Sequence, residues 1–191
     1  TLTPALIDCH THLVFAGSRH NEFVLRMRGA TYQEIAASGG GIANTVRAVR
    51  EASEQELFSL AKLRVEQIIT LGVGVIEIKS GYGLDWENEK KILRVIKRLK
   101  KEFQSKLLIL STFLGAHAFP PGVKSQQEKE TYVDSVVNVM LPQVAKYKLA
   151  DATDVFFDEG YFSEAQSRRI LESSKKLGLA IKLHADELAD T

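Results

Sequence analysis

The chain has 191 residues, of which 45% are hydrophobic and 26% are charged, a composition typical of a globular domain with one sizeable core. A formal net charge of +1 argues against a nucleic-acid partner or a membrane surface, and no apolar run is long enough to cross a membrane. The single cysteine, Cys9, excludes a disulfide within the chain and favours a reducing cytoplasm. We expect Cys9 to be a small buried hydrophobic side chain.

Apolar strands and amphipathic helices alternate along the chain without a low-complexity linker, so we expect one domain over residues 1–191. The first half predicts, in order, a strand over 5–8, helices over 22–28, 31–38 and 53–71, a strand over 73–78 and a helix over 86–103. The second half predicts a strand over 107–114, a helix over 126–148, a strand over 153–157, a helix over 163–177 and a strand over 179–183. Capping boxes are expected at Thr31, Ser53 and Ser163, and Pro142 is expected to kink the longest helix.

The alternation of apolar strands and helices predicts a parallel sheet covered by helices, either a (β/α)8 barrel or an open doubly wound sheet. No Gly-x-Gly-x-x-Gly run follows a strand, which argues against dinucleotide binding. Polar residues follow the carboxyl ends of successive strands, and in a barrel those ends surround one mouth. Because eight units need about 250 residues, we expect an α/β fold, a partial (β/α)8 TIM barrel of about five βα units. About three further units are expected beyond Thr191.

His10 and His12 lie one residue apart at the end of the first predicted strand. Side chains at positions i and i+2 of a strand point the same way, so two imidazoles in this arrangement reach one metal ion. Imidazole binds zinc, iron, copper and nickel. His184 follows another apolar strand, and three imidazoles at one barrel mouth predict a metal site. The alternatives are a chance histidine pair at a strand edge and a backbone-bonded His184.

Five runs of sequence resemble the imidazolonepropionase family of the metal-dependent amidohydrolase superfamily. They are LIDCHTHLVF at 6–15, GATY through GGGI at 29–42, EIKSGYGL at 77–84, FLGAH at 113–117 and KLHADE at 182–187. The H-x-H pair marks only the superfamily, whereas the KSGYG and GAH runs are far more specific to this family. The resemblance covers essentially the whole chain.

The resemblance implies hydrolysis of the cyclic amide of 4-imidazolone-5-propanoate, a small-molecule substrate, to N-formimidoyl-L-glutamate in histidine degradation. It implies one zinc or iron ion, with His10, His12 and His184 at the positions of the family's metal histidines. The family's fourth ligand, an aspartate near the eighth strand, has no counterpart in this chain. Neither does the family's small β-sandwich, which both chain ends build. A homodimer is also implied.

The resemblance further places Arg19, Tyr82 and His117 in contact with substrate and Glu187 in the catalytic centre, where we expect it to contact substrate as well. A guanidinium binds the carboxylate of a propionate with two parallel hydrogen bonds, and we expect Arg19 to bind the substrate in this way. Tyr82 lies in a glycine-flanked loop, from which its hydroxyl would reach the substrate ring, and Tyr32 is a weaker candidate for the propionate end. A surface arginine and an aromatic lid on the rim are the alternative readings for Arg19 and Tyr82.

Two side chains are expected to take part in the chemistry itself. His117 follows a strand, where it would hydrogen-bond the ring carbonyl and help to hold the developing negative charge. Glu187 lies three residues after His184, so a turn would bring its carboxylate to the water that attacks the amide, as a general base. Asp186 competes for that role. A core histidine and a solvated loop carboxylate are the alternative readings for His117 and Glu187.

Lys79 ends the second predicted strand, whereas the lysine that bridges two metals in some amidohydrolases ends the fourth. We therefore expect one metal ion, with Lys79 as a structural ion-pair partner. Two rival functions remain open. One alternative is another amidohydrolase, such as a cyclic amidase or a deaminase of heteroaromatic rings, and the other is a metal-binding barrel fragment without turnover.

Overall fold

The computed structural model describes residues 3–31, 34 and 40–190. Its elements, in chain order, are β1 (Leu6–Thr11), α1 (His20–Met27), α2 (Ile42–Glu51), α3 (Glu54–Thr70), β2 (Val73–Lys79), α4 (Trp86–Phe103), β3 (Leu108–Ala116), α5 (Gln126–Ser135), α6 (Leu141–Lys146), β4 (Ala152–Val155), α7 (Glu164–Lys176) and β5 (Ala180–Ile181). A π-helical turn, Val136–Met140, joins α5 to α6. No helix in the described ranges is long and apolar enough to cross a membrane.

The strands of the described chain form one sheet in the order β1-β2-β3-β4-β5, and every neighbouring pair is parallel. Each strand therefore lies beside the preceding one and on the same side of it. A doubly wound sheet reverses its strand order part-way, whereas a barrel does not. The predicted partial barrel of five βα units is confirmed.

The core lies between the helices and one face of the sheet. Leu57 of α3, Ile92 and Ile96 of α4 and Ile76 of β2 are completely buried there, and each such side chain contributes about 1.5–3 kcal/mol of burial free energy. The opposite face of the sheet is open. Leu108, for example, is 58% exposed.

Serine or aspartate side chains begin four of the helices by accepting a backbone N–H three residues later, which satisfies one unpaired donor of the first turn. These are Ser53 for α3, Asp85 for α4, Ser125 for α5 and Ser163 for α7. The reciprocal capping box is complete at Ser163, as predicted, and at Ser125. At Ser53, where a box was also predicted, the structure shows only the half in which the hydroxyl accepts from Glu56 N–H. The predicted box at Thr31 is also present, since the Glu34 carboxylate accepts from Thr31 and Glu34 N–H donates back to the Thr31 hydroxyl. The helix predicted over 31–38 lies mostly outside the described residues.

Several predicted boundaries differ from the structure. Helix α2 was not predicted, because its N-cap residue, Gly41, has no capping side chain and ends a glycine run. The predicted helix over 126–148 contains a π-helical turn just before Pro142, where the N–H of Leu141 donates to the Val136 carbonyl. Proline has no N–H to continue the α-helical ladder, so the irregularity precedes it.

The first and last strands also differ from prediction. Strand β1 continues to Thr11, and β5 has only two residues. An isolated bridge between Phe156 and His184 extends the pairing of β4 and β5. Cys9 is exposed rather than buried, because β1 lies at one edge of the sheet and its inner face is open.

Candidate active site

A cavity of about 260 Å³ opens at the carboxyl ends of the strands. Every predicted site residue that the structure describes lines it: His10, His12, Arg19, Tyr82, His117, His184 and Glu187. Tyr32 lies outside the described residues. Ile42, Phe156 and Tyr161 complete the wall.

His10 and His184 meet in this cavity although 174 positions separate them in the chain. Their Nε2 atoms lie 3.1 Å apart, and the two rings are nearly perpendicular. The Nδ1 atom of His184 lies 2.9 Å from Oδ2 of Asp154, a buried residue of β4. A carboxylate only accepts hydrogen bonds, so Nδ1 of His184 carries the hydrogen, and its Nε2 faces His10.

The spacing of this pair fits a shared metal ion. Two metal–nitrogen bonds of about 2.1 Å at ordinary coordination angles place the nitrogens roughly 3.0–3.4 Å apart, and the observed 3.1 Å lies in that range. Hydrogen-bonding of the second ring nitrogen to a carboxylate, as in His184, is the usual support of a metal-bound histidine. No three His, Cys, Asp or Glu side chains of the described residues converge tightly enough to form a complete metal site.

His12 is the predicted ligand that stands apart from this pair. Its ring centroid lies 5.7 Å from that of His10 and 4.8 Å from that of His117, on which it stacks. Burial, followed by the neighbouring His117 and His10, lowers the pKa of His12 well below its usual value, so the ring is neutral at pH 7. Its Nδ1 atom is buried and has no hydrogen-bond partner within the described structure. His12 therefore brings a neutral ring with one unsatisfied nitrogen to the cavity wall.

His117 is held by the loop that carries Tyr82. Its Nδ1 lies 3.0 Å from the Gly81 carbonyl oxygen, which only accepts, so Nδ1 carries the hydrogen. Burial lowers the pKa of His117 to about 4, and the neutral ring therefore has a lone pair on Nε2. The centroid of the Tyr82 ring lies 5.4 Å from that of His117 and 5.0 Å from that of His12. These three rings form one aromatic wall of the cavity.

Arg19 precedes α1 and is held by a buried carboxylate. Its Nε lies 2.8 Å from Oε2 of Glu22, and Glu22 also accepts hydrogen bonds from Gly41 N–H and the Asn44 amide. Burial would raise the pKa of Glu22, but the hydrogen bonds from Arg19, Gly41 and Asn44 outweigh it and lower the pKa. The carboxylate is therefore ionised at neutral pH and ties Arg19 to the start of α2.

An ionic network lies beneath the histidines. Lys79 donates to Glu77 at 2.9 Å and to Asp154 at 2.7 Å, and all three side chains are at most 4% exposed. Lys182 also binds Glu77, at 2.8 Å. Burial would raise the pKa values of Glu77 and Asp154, but hydrogen bonds from the lysines and from His184 lower both. The prediction that Lys79 is an ion-pair partner is confirmed.

Glu187 lies on the loop after β5, and its carboxylate is exposed to the cavity. The carboxylate of Asp158 accepts the backbone N–H groups of Glu187 at 3.0 Å and of Leu188 at 2.8 Å. Asp186, the competing candidate, has a left-handed backbone (φ 57°) and is not among the residues that line the cavity. The turn therefore places Glu187, and not Asp186, at the cavity.

Comparison with known proteins shows which proteins this chain is similar to. The chain is 55% identical over 189 residues to the imidazolonepropionase of Shewanella piezotolerans, and 54% and 53% identical to those of Shewanella sediminis and Shewanella amazonensis. Each match covers 99% of this chain. The chain is a homologue of the imidazolonepropionases. It spans 45–46% of the length of these imidazolonepropionases, and no protein-family model matches it.

The fold is also found in solved structures. Crystal structures of 5-methylcytosine deaminase from Klebsiella pneumoniae, with 5-fluorocytosine and with phosphonocytosine, superpose with TM-scores of 0.64 and 0.62. They cover 98% of this imidazolonepropionase homologue and 40% of the deaminase chain, at 13–14% identity. At this identity the likeness shows the fold alone.

Sequence reasoning missed the carboxylates that support the site of this imidazolonepropionase homologue. Glu22, Glu89, Asp154 and Asp158 are all buried, and each bonds a residue of the cavity or its loop. Asp154 had a usable signal, because it is a charged residue inside an apolar strand. The others resemble ordinary helix or loop acids, and only their tertiary partners distinguish them.

Proposed function

We propose that this protein hydrolyses the cyclic amide of 4-imidazolone-5-propanoate to N-formimidoyl-L-glutamate. The observation that carries the proposal is one cavity lined by a close imidazole pair, a guanidinium and a carboxylate. The relatives named imidazolonepropionase, at 53–55% identity, support the same reaction.

We propose that His10, His12 and His184 hold one zinc or iron ion. Such an ion supplies an activated water near neutral pH and polarises the amide carbonyl. The His10–His184 spacing supports two of these ligands, and His12 lines the same cavity with an unpartnered ring nitrogen. Asp154 fixes the His184 ring by its hydrogen bond to Nδ1.

Arg19 orients the substrate by its propionate. A guanidinium matches a carboxylate with two hydrogen bonds, which sets direction as well as charge. Glu22 occupies the Nε edge of Arg19, and this contact holds the side chain at the cavity mouth.

The planar ring of the substrate lies against the aromatic wall of His12, Tyr82 and His117. In its neutral form, with the hydrogen on Nδ1, His117 offers a lone pair on Nε2 to a ring N–H. Its predicted role of holding negative charge on the carbonyl oxygen would require a proton on Nε2. The Gly81 carbonyl favours the first of these two roles.

Glu187 moves the proton during hydrolysis. Its carboxylate takes a proton from the attacking water as the water oxygen bonds to the carbonyl carbon, and it returns that proton to the ring nitrogen as the carbon–nitrogen bond breaks. Asp158 keeps the loop in place through the backbone N–H groups of Glu187 and Leu188. Water and the cyclic amide then account for all atoms of the product.

The test is hydrolysis by the purified protein of 4-imidazolone-5-propanoate, compared with hydantoins and guanine. Turnover of the imidazolone alone supports the proposal. Turnover of a hydantoin or of guanine instead would assign a cyclic amidase or a deaminase. Metal retention without hydrolysis of any of the three would assign a non-catalytic metal-binding protein.

The metal is tested by elemental analysis of the wild type and of His184→Ala. We expect the variant to lose most of the bound metal, and unchanged content would remove His184 from the ligand set. Elemental analysis also decides between zinc and iron. We further propose a cytoplasmic homodimer, as the family resemblance implies, which sedimentation analysis and cell fractionation would test.

A further inference from the structure

Glu89 is a completely buried carboxylate in the first turns of α4. Its Oε1 accepts the backbone N–H groups of Gly83 at 2.7 Å and Leu84 at 3.0 Å, and its Oε2 accepts that of Gly81 at 3.1 Å. The exposed Glu87 and the partly exposed Asp85 already serve the start of this helix. Glu89 is therefore directed to the loop 80–84 and not to the helix itself.

The loop needs such an anchor because its backbone is unusual. Gly81 has φ 113° and Leu84 has φ 54°, and non-glycine residues rarely adopt left-handed φ values. A Cβ atom at Gly83 would lie 2.4 Å from the backbone nitrogen of Glu89. This tight path points the N–H groups of Gly81, Gly83 and Leu84 inward, where the Glu89 carboxylate accepts all three.

The loop contacts the histidines of the cavity at two points. Tyr82, between the two anchored glycines, packs its ring against His12 and His117. The Gly81 carbonyl accepts from Nδ1 of His117 at 3.0 Å, so the orientation of the Gly81 peptide selects the His117 tautomer. A Cβ at Gly81 would approach that Nδ1 to 2.9 Å, which shows how closely the loop fits the ring.

We propose that Glu89 is a positioning residue for the active site. It fixes the 80–84 loop so that Tyr82 faces the ring of the substrate and His117 keeps its hydrogen on Nδ1. This inference rests on the proposed function for its kinetic consequence. Its structural consequence, the tautomer of His117, does not depend on turnover.

The test is Glu89→Gln, which keeps the volume of the side chain and replaces one acceptor oxygen by an NH₂ group. That group would face either the Gly81 N–H or the pair from Gly83 and Leu84, donor against donor. We expect kcat/KM to fall about 10- to 100-fold while the variant stays folded. We also expect faster hydrogen exchange at the loop amides and a mixture of His117 tautomers in ¹⁵N NMR spectra of the ring.

The matched control is Glu87→Gln, two positions earlier on α4, whose side chain is 73% exposed. It should leave kcat/KM, loop exchange and the His117 signals unchanged. In a Tyr82→Phe background, Glu89→Gln should cost less in kcat/KM than in the wild type, because the two residues act through one loop. A purely structural role would give additive losses.

Two outcomes separate this inference from the proposed reaction. If the wild type does not hydrolyse the imidazolone, the NMR and exchange measurements still decide the role of Glu89. If Glu89→Gln is folded and leaves the His117 tautomer and the loop amides as in the wild type, the inference is overturned. Should Glu89→Gln fail to fold, Glu89→Asp keeps the charge with a shorter reach and is measured against the same criteria.

Discussion

The Nδ1 atom of His184 lies 2.9 Å from Oδ2 of Asp154, and this hydrogen bond joins the ends of β4 and β5 beneath the cavity. Asp154 is almost completely buried and also accepts from Lys79. The pairing leaves Nε2 of His184 free to face Nε2 of His10. A buried carboxylate thus selects the ring nitrogen that His184 presents.

Asp154→Asn should weaken metal binding about 10- to 100-fold, as loss of a partner behind a metal-bound histidine does. The amide still accepts a hydrogen bond, but it lacks the charge that favours the Nδ1–H form of His184. Competition with a chelator measures the affinity. Asp134→Asn, an exposed residue that pairs with Arg169, is the control. Equal affinities in both variants would contradict the role of Asp154.

Arg19→Gln should raise KM for the imidazolone about 10- to 100-fold, since one charge-assisted hydrogen bond contributes about 1.5–3 kcal/mol. We expect a smaller change in kcat, because the propionate binds in both the ground state and the transition state. Steady-state kinetics separates the two constants. Arg26→Gln, an exposed arginine of α1, should have no effect. A loss confined to kcat would place Arg19 nearer to the chemistry.

Lys79→Met should destabilise the protein by about 3–5 kcal/mol, because removing one partner leaves buried carboxylates without their counter-charge. Glu77 keeps Lys182, whereas Asp154 loses its lysine. Urea denaturation measures the free energy of unfolding. The surface pair of Lys90 and Glu87 provides the control. Lys90→Met should change the free energy of unfolding by less than about 1 kcal/mol. A loss below 1 kcal/mol for Lys79→Met would show that the network is not coupled to folding.

The capping box at the start of α5 predicts a pH-dependent contribution to stability. Hydrogen bonds from the Ser125 backbone, the Lys124 backbone and the Ser125 hydroxyl lower the pKa of Glu128 to about 2. A lowered carboxyl pKa stabilises the folded state above the ordinary value of 4.5, and the contribution disappears as pH falls toward 2.

Glu128→Gln should therefore lower Tm at pH 7, and the difference from the wild type should shrink steadily below pH 4.5. Scanning calorimetry between pH 7 and pH 3 measures it. Ser125→Ala removes the other half of the capping box and should lower the free energy of unfolding by about 1 kcal/mol at neutral pH. A Tm difference that grows on acidification would contradict the sign of this linkage.

Local sequence patterns predicted most of the fold. The strand cores, the helix faces and the caps at Thr31 and Ser163 depend on residues within a few positions of each other, so their periodicity and spacing predict them. Helix α2 was missed because Gly41 offers no capping side chain. The π-helical turn before Pro142 depends on how consecutive turns share hydrogen bonds, which composition does not show.

The sequence by itself determined the alternation of strands and helices, the position of His10 and His12 at the end of the first strand, and the set of side chains at the strand ends. Only the tertiary structure decided that His184 meets His10, that Asp154 fixes the tautomer of His184, and that Glu89 shapes the Tyr82 loop. The reason is physical. Side-chain type and local spacing follow from neighbouring residues, whereas the partner of a buried polar group depends on which distant strands and loops the fold brings within hydrogen-bond distance.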